Sequence, residues 1–339
     1  MRKALFLSFA LAAFGLSCNA QTYMQVHKNN GVVIRYNVDD VDSVTFVSGE
    51  NINANANEIG DDETVSRLEI PHLDSSRDYI CHKLANGEVN YSLEYDKSLY
   101  HAAWAAYVYD CISAQRNWTT RTNAWAGEPF YDNDKQYQVA GILSSGQSQY
   151  FTGYNRGHLV GSAERYYSQE ANAQTFYMSN MSPMNGNFNS TYWGEIEDKA
   201  RDNWGRNVLN TSSDYYGGTL YIVKGGALNT TTANPDPIMD FITVKNSNEE
   251  DVKMAVPRCY FMACLFVSGS GTYQAIGFWM EHKDYNNPSD DFLKELRRGA
   301  ACSIDDLEEK TGIDFFCNLK DAIENEVEST YDISLWNGL

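Results

Sequence analysis

Positive charge is scarce in this sequence. Its 339 residues include 26 Lys and Arg against 45 Asp and Glu, which gives a formal net charge of −19. Proteins that bind nucleic acid over a broad surface usually carry a basic patch or stripe on that surface. The composition therefore argues against such a surface. It still permits a small cleft whose positive charge is local.

Zinc motifs, membrane spans and internal repeats are also missing from the sequence. No Cys-x-x-Cys or His-Glu-x-x-His pattern occurs, which argues against a structural zinc site. Beyond residue 20 no apolar run is long enough to span a bilayer. Because 43% of the residues are hydrophobic, the chain can bury a full core, and we expect one large domain with small appendages.

The first 20 residues have the features of a secretory signal. Arg2 and Lys3 precede an apolar run over 4–16, and small residues follow that run. We expect cleavage after Ala20 and an exported protein, either secreted or periplasmic. Loss of the two cations would lower the net charge from −19 to −21. The alternative is lipoprotein anchoring at Cys18.

Six cysteines would remain after that cleavage. An even number of cysteines in an exported protein permits disulfides, but buried thiols are an equal alternative, and the sequence gives no pairing. These residues are Cys81, Cys111, Cys259, Cys264, Cys302 and Cys317.

The composition divides the rest of the chain into four parts. Residues 21–48 alternate apolar and polar side chains around a turn at 29–31, which predicts a hairpin and a third short strand. Residues 49–67 are rich in Asn, Asp, Glu and Gly, which predicts a flexible linker. The main domain follows over 68–324. The tail, 325–339, is either a packed strand or a loose end.

Polar residues typical of a catalytic site are concentrated in the segment 152–165, TGYNRGHLVGSAER. Gly153 precedes its Asn-Arg-Gly-His sequence and Gly157 lies within it, and glycines at these positions allow the backbone to turn sharply. A strand over 175–179, a Gly- and Asn-rich turn and a helix over about 190–209 are predicted to follow.

Four residues spaced by four lie along one face of that predicted helix. A neutral amide, a carboxylate and a guanidinium in line, facing a histidine on a neighbouring strand, are unusual for a face that only packs. Trp193 is the member that we expect to fix the helix by packing. The four are Asn189, Trp193, Glu197 and Arg201.

These motifs resemble those of the DNA/RNA non-specific endonucleases of the ββα-metal, or His-Me finger, class. The family signature is Asp-Arg-Gly-His, then Ser-Asn-(Met/Ile)-(Ser/Thr)-Pro at the end of a strand, then Asn-x-x-x-Trp-x-x-x-Glu on a helix. Asn155–His158 matches three of the first four positions, with Asn155 where the family usually has Asp. The segment 179–183 (SNMSP) and the spacing from Asn189 to Glu197 match fully.

The resemblance covers about residues 85–320 and implies an α+β fold. A ββα-metal finger core would be carried on an antiparallel sheet with flanking helices, and the N-terminal β segment would be an appendage. A strand is implied over 104–109, although the alanines of 99–114 favour a helix by propensity; we follow the resemblance, because tertiary context often overrides propensity. Softer matches are a core strand at 220–226, the next strand at 258–261 and a closing helix at 303–316.

The resemblance also implies how the matched residues act. His158 would be the general base, a neutral imidazole that takes a proton from the attacking water. Asn189 would be the only direct protein ligand of a water-rich Mg²⁺, for which Mn²⁺ is an alternative; its other role would be to cap the helix. Glu197 would hydrogen-bond the metal-bound waters. Its alternative is a surface carboxylate.

Arginines complete the expected site. Arg156 and Arg201 would stabilise negative charge in the transition state, although Arg201 could instead pair with Glu197 one turn back. A further arginine comes from an earlier strand or loop in the family, and Arg121 suits that place better than Arg116.

The implied activity is Mg²⁺-dependent hydrolysis of phosphodiester bonds in DNA and RNA without sequence preference, because contacts to phosphate carry no base information. Two alternatives remain: an exported phosphodiesterase that acts on nucleotides, and a nucleic-acid- or surface-binding module with a relaxed nuclease core. The sequence does not identify an inhibitor or immunity protein as a partner.

Overall fold

The computed structural model describes residues 22–27, 33–38, 41, 53–286 and 288–339. It divides into two compact units, Met1–Glu50 and Asn51–Leu339. The predicted signal, with Cys18, and the third N-terminal strand lie outside the described residues. Among the residues described, no helix combines the length and apolar character needed to cross a membrane.

The first unit contains the predicted hairpin. Strands β1 (Tyr23–His27) and β2 (Val33–Asn37) pair antiparallel, with Tyr23 opposite Asn37 and His27 opposite Val33. The alternating pattern therefore gave the correct strands on both sides of the predicted turn.

The second unit mixes strands and helices. Its described strands are β3 (Asp78–Lys83), β4 (Val89–Asp96), β5 (His101–Tyr109), β6 (Asn155–His158), β7 (Met181–Met184), β8 (Thr219–Gly226), β9 (Ile238–Lys245), β10 (Asp251–Pro257), β11 (Cys259–Val267), β12 (Tyr273–Glu281) and β13 (Ala301–Cys302). Its described helices are α1 (Gln169–Gln174), α2 (188–209), α3 (Asp290–Ala300), α4 (Ile304–Thr311) and α5 (Asp321–Glu328). Short 3₁₀ helices lie at Glu63–Ser66, Pro129–Tyr131, Ser162–Arg165, Met178–Asn180 and Ile333–Leu335.

Seven of these strands form one antiparallel sheet in the order β13-β12-β11-β8-β5-β4-β3. The pairs β6–β7 and β9–β10 form separate two-stranded sheets. An α+β fold with a large antiparallel sheet and flanking helices was predicted, and the structure confirms it. The resemblance was also right about β5, whose alanines lie in a strand that is buried along its whole length.

Both faces of the seven-stranded sheet are covered, and successive side chains alternate between them. Met262 and Cys264 of β11 belong to one hydrophobic cluster with Trp193 and Trp204 of α2, on what we call the α2 face. Their neighbours on β11 belong to a second cluster with Leu307 of α4 and Val327 of α5, on the α4–α5 face. The two faces therefore have separate cores.

The strand predicted over 175–179 is wrong. Thr175 ends α1, where its hydroxyl donates to the carbonyl of Asn172 at 2.7 Å, and β7 begins only at Met181. Ser168 caps α1 by accepting from the Ala171 N–H, and after α1 ends a 3₁₀ turn at Met178–Asn180 takes up the second half of the predicted strand.

The linker prediction fails over 53–67. Asn57 is buried and donates to the carbonyls of Val65 and Pro71, while its own N–H donates to Asn318. Asn55 donates to the carboxylates of Asp314, which follows α4, and of Glu324 in α5. The polar side chains that suggested a solvated linker are instead engaged in long-range hydrogen bonds.

The tail is neither a strand nor a loose end. Helix α5 extends to Glu328, and a 3₁₀ turn at Ile333–Leu335 brings Trp336 into the core of the α2 face. There the Trp336 ring packs edge-on against Trp204, with centroids 4.8 Å apart.

All six described cysteines are free thiols. Four of them, Cys259, Cys264, Cys302 and Cys317, are buried, and burial raises the pKa of each of these thiols. The buried-thiol alternative therefore describes these four, whereas Cys111 is exposed.

Candidate active site

The β6–β7 hairpin holds His158 in place. His158 is opposite Met181, and Gly157 is opposite Ser182. A Cβ atom at Gly157 would lie 2.2 Å from the sulfur of Met184, so only glycine fits this strand pairing. The Arg-Gly-His motif thus needs its glycine for close packing, while His158 projects from the end of the strand.

Asn180 fixes the chain that follows His158. Its side-chain oxygen accepts from the Val160 N–H at 2.8 Å, and its backbone carbonyl accepts from the Leu159 N–H at 2.9 Å. The side-chain amide donates to the carbonyls of Val160 and Thr175. Asn180, the second residue of the SNMSP motif, therefore positions the strand end and is fully buried.

His158 is buried, with 8% of its surface exposed, and its Nε2 atom has no hydrogen-bond partner within the described part of the chain. The rings of Phe176 and Trp125 pack against it, with centroids 5.1 and 5.9 Å away. Burial lowers the pKa of His158 well below its usual value, and the nearby cations Arg121, Lys224 and Arg156 lower it further. The imidazole is therefore neutral at pH 7.

Two predicted arginines meet on one aromatic surface beside His158. The Arg156 guanidinium lies 3.5 Å from the centre of the Trp125 ring and donates to the Gln149 carbonyl at 2.8 Å. The Arg121 guanidinium lies 4.7 Å from the Phe176 ring and 5.9 Å from Trp125. Since Arg121 also lowers the pKa of Arg156, the two cations are close enough to repel each other.

Helix α2 begins with a wide, π-helical turn over Phe188–Trp193. The hydroxyls of Ser190 and Thr191 donate to backbone carbonyls four residues earlier, which competes with regular helical bonding. Such turns occur frequently at functional sites. A second π-helical turn covers Lys199–Gly205, after a regular turn at Gly194–Asp198, and a 3₁₀ turn at Arg206–Leu209 ends the helix.

Asn189 lies inside this first turn and does not cap it. The capping oxygen belongs to Asn185, which accepts from the N–H groups of Asn187 and Phe188. The half-buried side chain of Asn189 has no hydrogen-bond partner among the described residues. One turn later, the indole N–H of Trp193 donates to the His158 carbonyl at 3.3 Å, which joins α2 to β6.

Glu197 shares a buried lysine with a second carboxylate. The Lys224 ammonium, which has no exposed surface, donates to Glu197 at 2.8 Å and to Glu164 at 2.7 Å. Burial raises the pKa of Glu197 to about 7, while Lys224 acts in the opposite direction. Glu197 is therefore a half-buried group in a charge network, and the alternative of a surface carboxylate without partners is wrong.

Sequence reasoning missed Glu164 and Lys224. The available signal was a lysine in the otherwise apolar stretch 220–226, since an unpaired lysine is almost never fully buried. Glu164 lies within the first motif and accepts from the Tyr107 hydroxyl at 2.5 Å and from the Gly161 N–H at 2.6 Å. These bonds fix the carboxylate that holds Lys224.

Arg201 does not form the predicted alternative pair with Glu197. Its guanidinium binds Asp198 at 2.5 Å and Asp202 at 2.6 Å, and these carboxylates help to raise its pKa above the usual value despite partial burial. The Arg201 charge still lowers the pKa of Glu197 slightly, so the guanidinium lies near the network without a hydrogen bond to it.

Two other histidines have structural roles. His101 is buried between the carbonyl of Ala102 and the Ser182 hydroxyl, and burial lowers its pKa to about 4. His282 accepts from the Asn185 N–H at 2.6 Å, so its other nitrogen donates to the Pro257 carbonyl. His282 thereby fixes the turn that leads into α2.

Comparison with known proteins identifies the family. A family model described as DNA/RNA non-specific endonuclease matches residues 84–322, which is more than half of the chain. The chain belongs to the DNA/RNA non-specific endonuclease family. A nuclease of Nostoc sp. is 30% identical over 244 residues, which cover 71% of this chain and 76% of that protein.

More distant matches include a second nuclease and a solved structure. A nuclease of Syncephalastrum racemosum is 28% identical over 171 residues, which cover 50% of this chain and 48% of that protein, about half the length of each. A solved structure of the EndoG/EndoGI complex matches with a TM-score of 0.48 and 18% identity, over 74% of this chain and 89% of that one.

This member of the endonuclease family is therefore a hydrolase that acts on nucleic acids, and the family depends on a divalent metal. The residues present fit such an ion. Asn189 offers an amide oxygen that no described residue occupies, and Glu197 supplies a carboxylate about two turns further along the same helix. Oxygen donors of these types are the ligands of hard cations.

The surroundings of His158 in this endonuclease carry the local positive charge that its overall composition lacks. Arg121 and Arg156 lie beside His158, and Tyr150, with 72% of its surface exposed, lies 5.3 Å from the Arg156 guanidinium. An exposed aromatic ring next to a guanidinium can contact a nucleotide through both stacking and charge. The sequence had predicted the two arginines but not the exposed ring of Tyr150 beside them.

Proposed function

We propose that this chain is a Mg²⁺-dependent endonuclease that hydrolyses phosphodiester bonds in DNA and RNA irrespective of sugar and base sequence. The observation that carries this proposal is a buried, neutral His158 whose unpartnered Nε2 lies beside two arginines. A histidine used only for structure would have both ring nitrogens bonded, as His101 and His282 do.

His158 acts as the general base. Its Nε2 takes a proton from the water that attacks phosphorus, while a hydrogen bond with the Arg156 backbone orients the ring. The depressed pKa keeps the imidazole in its proton-accepting form. A fixed tautomer and a buried, rigid ring reduce the reorganisation needed when the proton moves.

Asn189 would hold the metal ion, and Glu197 would accept hydrogen bonds from its waters. When bound, Mg²⁺ supplies charge neutralisation at a non-bridging phosphate oxygen and at the leaving oxygen. Lys224 and Glu164 keep the Glu197 carboxylate at a constant position. Lys224 is thus a positioning residue, because it acts through Glu197.

Arg156 and Arg121 stabilise the negative charge that develops on the phosphoryl oxygens. Arg201 contributes through its charge near Glu197, since both aspartates on α2 hold its guanidinium. Cleavage that leaves 5′-phosphates and little base preference are part of this proposal, because contacts to phosphate do not read sequence. We also propose that the secretory signal exports the protein.

Digestion of plasmid DNA, RNA and a short phosphodiester tests the proposal. Cleavage of both polymers with Mg²⁺, loss of cleavage with EDTA and recovery with excess Mg²⁺ are the expected results. Hydrolysis of the short diester alone would indicate a nucleotide phosphodiesterase. Binding of DNA without cleavage of any substrate would indicate a relaxed nuclease core, and either result would overturn the proposal.

A further inference from the structure

A cluster of carboxylates on the α4–α5 face lies apart from the proposed catalytic residues. Asp305, Glu308 and Glu328 each bring one carboxylate oxygen within 4.8 Å of the others. Oxygens on opposite sides of a Ca²⁺ ion, bound at 2.3–2.6 Å, are about 4.6–5.2 Å apart. One ion can therefore contact all three carboxylates without a change of backbone.

Glu328 gives a second, independent indication of a ligand. Only 5% of the residue is exposed, and its Oε1 atom has no hydrogen-bond partner within the described residues. It lines the same pocket as Asp305 and Glu308. A buried carboxylate oxygen without a donor is costly unless a proton or a cation satisfies it.

Further negative groups surround these three residues in a pocket of about 340 Å³. The donors in reach are neutral: the Asn55 amide donates to Asp314 and Glu324, and the Phe315 N–H donates to Glu308 at 2.7 Å. None of the carboxylates forms an ion pair with a described Lys, Arg or His; they are Asp305, Glu308, Asp314, Asp321, Glu324 and Glu328.

We propose that Asp305, Glu308 and Glu328 bind a structural Ca²⁺ ion. Ca²⁺ accepts six to eight oxygen ligands in flexible geometry, which the additional carboxylates and water in this pocket can supply. Mg²⁺ is a poorer fit, because it demands a smaller and nearly ideal octahedron. The site is separate from Asn189, because Asn189 lies on α2 and that helix packs on the other face of the sheet.

The cluster must be neutralised in one of two ways. Burial raises the pKa of Glu308 to about 8 and that of Glu328 to about 10, and the neighbouring carboxylates add to both shifts. A proton and a cation are therefore the two ways to neutralise the cluster near neutral pH. The experiment below separates them, because only the cation site makes stability depend on Ca²⁺.

Occupancy would also join distant parts of the chain. Asp305 and Glu308 belong to α4, Glu328 ends α5, and Asn55 of the segment before β3 contributes donors to the same pocket. An ion here would connect both helices and support the segment that packs on them. We therefore expect Ca²⁺ to affect stability and to leave the chemistry unchanged.

Titration of the full-length chain with Ca²⁺, followed by calorimetry and by melting curves, tests the site. The Asn189→Ala background removes the proposed catalytic ligand, and titration to about 10 mM covers the weaker calcium affinities known for extracellular modules. One bound Ca²⁺ is expected. The melting temperature should rise by roughly 5 °C when Ca²⁺ exceeds its dissociation constant about 100-fold.

Matched variants locate the ion. Glu328→Gln should abolish the Ca²⁺-dependent rise in melting temperature. Because this buried change could impair folding, Asp305→Asn provides a second test at an exposed position and should weaken the rise. Glu309→Gln removes an exposed carboxylate from the same helix outside the pocket and should behave as wild type. An unchanged response in both pocket variants, or no response in the wild-type protein, would overturn the proposal.

Because calorimetry and melting do not depend on cleavage, the outcome is independent of the proposed nuclease mechanism. If Asn189→Ala alone removed the Ca²⁺ response, the ion would belong to the catalytic site and the pocket would not be a calcium site. If cleavage failed but the pocket variants lost the response, the calcium site would stand and the proposed function would not.

Discussion

The two faces of the main sheet differ in how they neutralise clustered carboxylates. On the α2 face, Glu164 and Glu197 share the ammonium of Lys224, which belongs to the protein. On the α4–α5 face, Asp305, Glu308 and Glu328 have no such partner among the described residues. One face carries a permanent counter-charge, while the other depends on a proton or an ion from solution.

This difference matches the role that we propose for each face. A carboxylate that is proposed to hold metal-bound water must stay in place whatever the ionic conditions, and a lysine on a central strand provides that constancy. A cluster that joins helices can depend on an exchangeable ion, because its failure weakens the structure and leaves the chemistry intact. Substitutions on the two faces should therefore separate rate from stability.

Removal of the permanent counter-charge should have the largest effect. Lys224→Met leaves two buried carboxylates without a cation, and loss of one partner of a buried ion pair typically costs about 3–5 kcal/mol. We expect that loss in the free energy of unfolding from denaturant titration, together with reduced cleavage. Glu164→Gln is the matched control, because Lys224 keeps Glu197 as its partner. Equal losses in the two variants would contradict the charge-sharing interpretation.

His158→Ala should reduce rate without reducing stability. Loss of a general base lowers cleavage by at least ~10²-fold. The substitution removes a partly unsatisfied side chain, so we expect the melting temperature and the Ca²⁺ response to stay close to wild type. Initial rates on plasmid DNA and a melting curve are the two measurements. Cleavage near the wild-type rate would remove His158 from the mechanism.

The two metal-site residues should differ in severity. Asn189→Ala should abolish high-affinity use of Mg²⁺, and raising Mg²⁺ should restore only part of the rate. Glu197→Gln should be milder, since loss of a group that holds metal-bound water typically costs ~10–100-fold. Rates measured against Mg²⁺ concentration decide between them. A larger loss in the Glu197 variant would reverse the ligand assignment.

A change in pH dependence is the smallest expected effect. Burial lowers the pKa of His158, and Arg121 is the largest charge contribution in the same direction. His158 therefore stays unprotonated, and able to act as a base, below about pH 6.5, which is the unperturbed pKa of histidine. Arg121→Ala should move the acid limb of kcat/KM to higher pH, towards that value. Arg116→Ala is the matched control, and its acid limb should coincide with that of the wild-type protein.

Site residues that belong to motifs of fixed spacing could be predicted from the sequence, whereas residues whose roles depend on contacts between distant segments could not. Asn155–His158, Trp193 and Glu197 were placed by their resemblance to the family motifs, and for Trp193 and Glu197 the local periodicity of a helix agreed. The segment 53–67 was misjudged because its hydrogen bonds reach Asn318, which is 261 positions from Asn57. Lys224 was missed for the same reason, since its two carboxylate partners come from separate elements.

The first residues of the second unit bond to residues near its C-terminal end, and this has a consequence for how the protein is made and folds. Asn53, Asn55 and Asn57 bond to residues of 314–324, so these contacts form only after almost the whole chain has been synthesised. Under the proposed export, a domain closed in this way cannot complete its fold while it passes through a narrow channel. Its last contacts would form on the far side, where the dissolved ions are those of the destination compartment.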